Sequence, residues 1–286
     1  YPYLGLTVEN TDIRRSGKRA YGKVDAAGTF GTTLTQPELF ESYLKEQIRL
    51  IIGNHQRPVY VGLSDRAMPL PFVIEAASAG VSADDMPALQ SIFTMPELGN
   101  INDSIANGTY VPVDGLPRPL ALFTAERVDY SLARLFHYTG TIPKHFQRFV
   151  LFTNYQRYVD EFIDYGKKQV TEGTAYSAFV EPGNVVTPNP RLTDTPPTGQ
   201  APAHLPQMPA YHLVADKHMG ITLVNIGVGP SNAKTITDHI AVLRPHCWLM
   251  VGHCGGLRHS QRLGDFVLAH AYVREDHVLD EDIHPS

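Results

Sequence analysis

Apolar and polar positions alternate in short runs through the first half of the chain and in longer, unbroken apolar runs through the second. Residues 21–24 and 29–34 read as strands, with Gly28 and Gly31 marking tight backbone turns. Pro37 stands where a helix should begin. Leu39, Phe40, Tyr43, Leu44, Gln47, Ile48 and Ile51 then recur on one face, and Gly53 is the expected stop. Residues 59–63 and 71–74 predict further strands, and residues 129–138 a second helix closed by Gly140 and Pro143. Mixed elements without a regular βαβ rhythm predict an α+β domain over residues 1–144. Its composition leaves a regulatory, assembling or lid role open.

Residues 145–286 follow a different rhythm. A short apolar strand at 148–152 leads through Thr153-Asn154-Tyr155 into a helix with Val159, Phe162 and Ile163 inward. Eight prolines in the 28 residues 182–209 predict a long surface excursion or a partly mobile flap, because that density sustains neither a helix nor a central strand. Residues 220–229 are a buried-strand run ending in glycines. Pro230 opens a helix with Ala233, Ile236, Ile240 and Leu243 at helical spacing. Residues 248–251 predict a second buried strand and residues 264–273 a third. Strand–helix–strand with glycines at the carboxyl ends of the strands is the signature of a parallel Rossmann-type α/β unit, which binds ligands at those ends.

Composition narrows the function. The chain has 286 residues, 43% hydrophobic and 19% charged, enough for two packed domains and against whole-chain disorder. Twenty-four basic against 29 acidic residues leave no excess to neutralise a phosphate backbone, so a dedicated nucleic-acid binder is not expected. No stretch is long and apolar enough for a membrane span. Two cysteines, Cys247 and Cys254, are too few for a secreted disulfide scaffold and predict reduced, mostly buried thiols in a cytoplasmic protein. The start, Tyr1-Pro2-Tyr3, has no initiator Met or signal pattern, so the numbering is expected to begin inside a longer natural chain.

Three loops carry the candidate chemistry. Gly227 and Gly229 lie between a strand and a helix, where backbone N–H groups can approach an anion or a sugar. Taken alone, the pair is better explained as a structural turn than as a ligand loop. Gly252-His253-Cys254-Gly255-Gly256 ends a strand with three glycines, costly in backbone entropy unless a ligand or another chain segment comes close. Arg157 opens a helix, which makes it either a solvated charge or a phosphate clamp. His253, His259, His270, His277 and His284 show no metal-ligand spacing, and no metal is expected.

Together these loops resemble the nucleoside phosphorylase superfamily. Residues 149–157 are similar to its first strand and Gly-Asp-Pro-x-Arg turn, 221–234 to its second glycine turn and helix, and 251–257 to its Val-Gly-Ser-Cys-Gly loop. Within it the likeness is to the AMP nucleosidases. It extends through Phe40-Glu41-Ser42-Tyr43-Leu44, residues 127–135 and His137-Tyr138-Thr139-Gly140, and so takes in the N-terminal domain that ordinary phosphorylases lack.

The resemblance implies hydrolysis of AMP to adenine and ribose 5-phosphate by a cytoplasmic homohexamer. It needs no cofactor for the chemistry; Mg-ATP is the implied activator and phosphate the implied inhibitor. Arg157 would bind the 5′-phosphate, Gly227 and Gly229 would make backbone contacts, and His253, Cys254 and Gly255 would floor the sugar–base site. Asn154 and Tyr155 would shape the same mouth. Met250 occupies the position of a second phosphate-binding arginine, and His253 that of a serine, which favours water over phosphate as the nucleophile. A purine nucleoside phosphorylase is the alternative within the superfamily, and a non-catalytic nucleotide-binding or regulatory module the alternative outside enzymes. The acid that protonates the leaving purine is expected beyond Ser286. Asp276 and Asp280 are poorly placed for that role.

Overall fold

The computed structural model describes residues 1–10, 22–77, 82 and 84–269, and divides the chain into two compact units, Tyr1–Ala133 and Arg134–Ser286. The division falls inside a helix, Ala125–Thr139.

The first unit holds strands β1 (Pro2–Val8), β2 (Gly28–Thr33), β3 (Val59–Leu63) and β4 (Arg118–Pro119) in the order β3-β1-β2-β4. β1 runs antiparallel to both β2 and β3, while β2 and β4 are parallel. Its helices are α1 (Glu41–His55), α2 (Leu70–Ala77), α3 (Met86–Ile92) and the first part of α4 (Ala125–Thr139). Leu6, Val8 and Ile51 are buried together, with Val24, Val59 and Leu120 packed around them. Two charged groups of α4 are buried with partners: Arg127 holds Asp103 bidentately at 2.7 and 3.1 Å, and Asp129 accepts hydrogen bonds from Tyr1 and Thr35 at 2.8 and 2.6 Å. A buried charge is tolerated only when paired in this way.

Several expectations for this unit need correction. No strand occupies residues 22–24, where Gly22 turns to φ 65° and breaks the extended run; Tyr21 lies outside the described residues. Gly31 is not a turn but a mid-strand residue, needed because the Tyr3 ring lies where its Cβ would project. Gly53 does not stop α1, which runs to His55 and ends on Gln56 in the left-handed conformation (φ 53°). Residues 71–74 are helical, inside α2. Four apolar residues carry no usable period, and Pro71 in a first helical turn gives up an N–H that has no partner there anyway.

The second unit adds α5 (Gln156–Glu172) and α6 (Pro230–Ala241), and strands β5 (Phe149–Thr153), β6 (Ala178–Glu181), β7 (Val185–Pro188), β8 (Ala210–Val214), β9 (Ile221–Asn225) and β10 (Cys247–Met250). The sheet order is β10-β5-β9-β8-β6-β7, with β10, β5 and β9 mutually parallel and the rest antiparallel. The architecture is the expected α/β type. α5 buries Val159, Phe162 and Val170 against Phe179, Tyr211, Leu213 and Leu223 of the sheet. Gly166 allows that approach, since any Cβ there would run into the Phe179 ring. The proline-rich stretch contributes β7, the last strand of the sheet, with an isolated bridge from Thr198 to Val186 on its outer side, a peripheral place that suits proline's missing donor. β10, expected to be buried, is instead the opposite edge with all four residues exposed, because no described strand pairs beyond it. Residues 264–269 form no strand, and the rest of that predicted element lies outside the described residues.

A polar network crosses this core. The His212 ring is fully buried, with Nδ1 2.8 Å from Thr222 Oγ1 and Nε2 2.9 Å from Thr141 Oγ1. Thr222 Oγ1 also accepts the Gln147 N–H at 2.8 Å, which ties the ring to the segment before β5. Burial, then His145, holds His212 well below the usual histidine value, and burial, with Lys144 and His218, pushes half-buried His145 down to about 4. Both rings are therefore neutral when folded and take up protons on unfolding below the ordinary value of about 6.5. Their stabilisation is complete above that pH and lost as pH falls toward 4. Urea midpoints should drop between pH 7 and pH 4.5, and His145→Gln should flatten part of that drop. An unchanged slope in the variant would remove His145 from the account.

Candidate active site at the strand ends

β5 lies between β10 and β9, and the three parallel strands deliver their carboxyl ends side by side. Backbone bonds carry the ladder one step into the loops: Val251 N–H donates to Phe152 O and Ile226 N–H to Thr153 O, both at 2.8 Å. The loops after all three strands are thereby fixed beside one another.

The turn after β5 holds Asn154, Tyr155 and Arg157. Asn154 is half-buried, and its Oδ1 is fully buried without a hydrogen-bond partner. Such an acceptor is costly unless a ligand or water supplies a donor. Tyr155 is the extended residue before α5 and provides no side-chain cap, so the first N–H groups of the helix keep no side-chain acceptor. Arg157, the second residue of α5, is exposed, with no ion pair or hydrogen bond among the described residues.

The β9 loop turns at Gly227 (φ 66°) and Gly229 (φ 107°), conformations that disfavour any Cβ. Asn225 sets the turn: its Oδ1 accepts the Gly227 N–H at 3.1 Å, and its Nδ2 donates to Gln156 Oε1 at 3.4 Å, linking this loop to the start of α5. α6 then begins at Pro230 with no side-chain cap. Two helix N-termini and a glycine turn on adjacent strand ends suit an anion.

Gly252, His253, Cys254 and Gly255 follow β10. The His253 ring packs on Tyr155 (centroids 4.4 Å apart) and Tyr158 (5.3 Å), which joins the β10 loop to the β5 turn. A Cβ at Gly252 would sit 3.5 Å from Tyr155, in ordinary van der Waals contact, and nothing lies within 4 Å of the Gly255 Cβ position, so packing demands neither glycine. Cys254 and Cys247 are both exposed rather than buried, a correction that follows from β10 being a sheet edge. Met250, the last residue of β10, pairs with Phe152 and puts an apolar, 47% exposed side chain at the strand end. Among the described residues no group of three His, Cys, Asp or Glu side chains could hold a metal ion, and no helix is long and apolar enough to cross a membrane.

Comparison with known proteins bears on this geometry. Residues 1–117 match the family described as bacterial AMP nucleoside phosphorylase N-terminus. Over 292 aligned positions covering all of this chain, it is 47% identical to the AMP nucleosidases of Escherichia coli K12 and E. coli O157:H7. The chain is thus similar to AMP nucleosidases over its whole length. It spans 59% of the length of those two relatives. Among solved structures, AMP nucleosidase from Bacteroides thetaiotaomicron VPI-5482 aligns over 46% of this chain and 40% of that one, at 24% identity and a TM-score of 0.30, too slight a likeness to bear on the fold.

Within this site, three residues were missed from the sequence. Tyr158 sits three positions after Tyr155 on one helix face, an aromatic spacing that is visible in the sequence but usually means core packing. Asn225 precedes the glycines as an Asx-turn residue, a legible signal. Gln156 acquires its role only through Asn225, which no local pattern announces.

Proposed function

We propose that this protein is an AMP nucleosidase, cleaving the C1′–N9 bond of AMP with water to give adenine and ribose 5-phosphate. The observation that carries the reading is the convergence of the β5, β9 and β10 loops in a chain 47% identical over all its length to curated AMP nucleosidases. Arg157 pairs with the 5′-phosphate, whose oxygens also meet the uncapped N–H groups opening α5 and α6. Gly227 and Gly229 keep that backbone open to close approach. The tilted Tyr155–His253 ring pair, continued by Cys254 and Gly255, floors the sugar and base. Asn154 Oδ1 accepts a hydrogen bond from AMP, whose donors are the ribose hydroxyls and the adenine amino group.

As the bond breaks, its electron pair leaves with N9, the purine takes a proton, and the water oxygen bonds C1′ after losing one. Holding the sugar and the water in register is the part these loops perform. Met250 offers no charge to a second phosphate at the end of β10, which supports water as the nucleophile. The same reading extends to a cytoplasmic homohexamer, activated by Mg-ATP and inhibited by phosphate. Its test is product analysis in phosphate-free buffer with the full-length protein. Adenine and ribose 5-phosphate should form without added phosphate. Turnover that requires phosphate and yields ribose 1,5-bisphosphate would establish a phosphorylase instead.

A further inference from the structure

β3 closes one edge of the first unit's sheet, and its outer side is bare among the described residues. The hydrogen-bond phase of that edge can be read from β1. Leu34 N–H donates to Pro2 O on the β2 side, while Ser64 N–H donates to Tyr1 O on the β3 side. With the register Pro2↔Leu63, Tyr3↔Gly62 and Leu4↔Val61, the backbone groups of Tyr60, Gly62 and Ser64 face β1. Those of Val59, Val61 and Leu63 face outward, with no partner among the described residues. The same three residues put their side chains on the core face with Leu4 and Leu6, yet Val61 is 65% and Leu63 83% exposed. Edge strands are ordinarily guarded by charge, proline or a bulge. The strand Val-Tyr-Val-Gly-Leu has none of these.

We propose that β3 pairs antiparallel with β3 of a second copy of this chain, across a two-fold axis at Val61. That register sets Val61 against Val61 and Val59 against Leu63, so all six outward backbone groups of each strand are satisfied at once. It carries the core face of one sheet into the other and covers the exposed valine and leucine. It also places Arg57 opposite Asp65, once on each side of the axis. Arg57 also meets Glu9 at 3.0 Å within its own chain. The contact is isologous, as a closed dimer requires, and it is independent of the strand-end site, so its failure would leave the nucleosidase reading standing.

Two experiments on the full-length protein test the pairing. Directly opposed residues in an antiparallel hydrogen-bonded pair have Cα atoms about 5.5 Å apart, inside the roughly 4.4–6.8 Å window for a disulfide. Val61→Cys should therefore cross-link copy to copy under mild oxidation, with the 61–61 bond located by peptide mapping to exclude Cys247 and Cys254. Tyr60→Cys, offset from its own mate, should cross-link several-fold less. By light scattering, Asp65→Arg should lower the mass of the assembly by placing Arg against Arg, and Arg57→Asp with Asp65→Arg should restore it. A single-copy mass for the wild type, or equal cross-linking of the two cysteine variants, would overturn the proposal. So would an Asp65→Arg protein of unchanged mass, or a folded Val61→Cys protein whose thiol is shielded without dimer formation.

Discussion

Arg157→Ala should lower kcat/KM for AMP by roughly 10- to 150-fold in the full-length protein, the range expected for losing a charge-assisted hydrogen bond of about 1.5–3 kcal/mol. The side chain is exposed at the start of α5 and has no partner among the described residues, so its removal breaks no internal contact. A folding penalty should therefore be absent, and circular dichroism and the urea midpoint should match the wild type. A solvated arginine would change turnover by less than about twofold. Arg157→Lys should recover only part of the loss, because an ammonium keeps the charge but not the planar fork. A folded Arg157→Ala protein with wild-type kcat/KM would return this residue to an ordinary surface charge and remove the phosphate clamp from the mechanism.

The second unit was the more legible because its strands carry their own signals. A largely apolar run closed by glycines at 220–229 gave β9 and the turn to α6, and the proline-dense stretch 182–209 holds no helix and no central strand among its elements. The first unit was harder to read. Its strands are interrupted by glycines, and β3 leaves Tyr60, Val61 and Leu63 exposed, so the apolar alternation is blurred. Residues 71–74 show the limit directly: an apolar tetrad reads as a strand, and only the helix around it decides. Burial is a property of neighbours rather than of the strand's own residues. Trp248, Leu249 and Met250 are as apolar as any core segment, yet all three are about half exposed at the sheet edge, and the cysteines beside them follow.

The site divided along the same line. Glycine turns and the helix-start arginine are local features, so a single stretch of sequence points to each. The packing of His253 on Tyr155 and Tyr158 joins residues nearly a hundred positions apart, and the tie from Asn225 to Gln156 joins residues 69 apart. Parallel topology brings them together, because β10, β5 and β9 must end on the same side of the sheet.

That arrangement makes the 5′-phosphate the feature by which substrates should be sorted. Adenosine keeps the sugar and base contacts but leaves Arg157 and the uncapped N–H groups of α5 and α6 without an anion. A site built around a polar group rejects an analogue lacking it far more strongly than it rejects a change of apolar size. Two charge-assisted interactions at about 1.5–3 kcal/mol each put the kcat/KM ratio of AMP to adenosine at roughly 10²- to 10⁴-fold. The ratio should also depend on the arginine. Arg157→Ala removes the clamp for AMP and nothing that adenosine uses, so adenosine turnover should stay within about twofold while the AMP ratio narrows by the 10- to 150-fold lost to the substitution. Measuring both substrates on both proteins closes a double cycle between a side chain and a phosphate. Equal losses for AMP and adenosine would mean that Arg157 supports the fold of the mouth rather than the phosphate, and comparable wild-type kcat/KM for the two substrates would remove the clamp altogether.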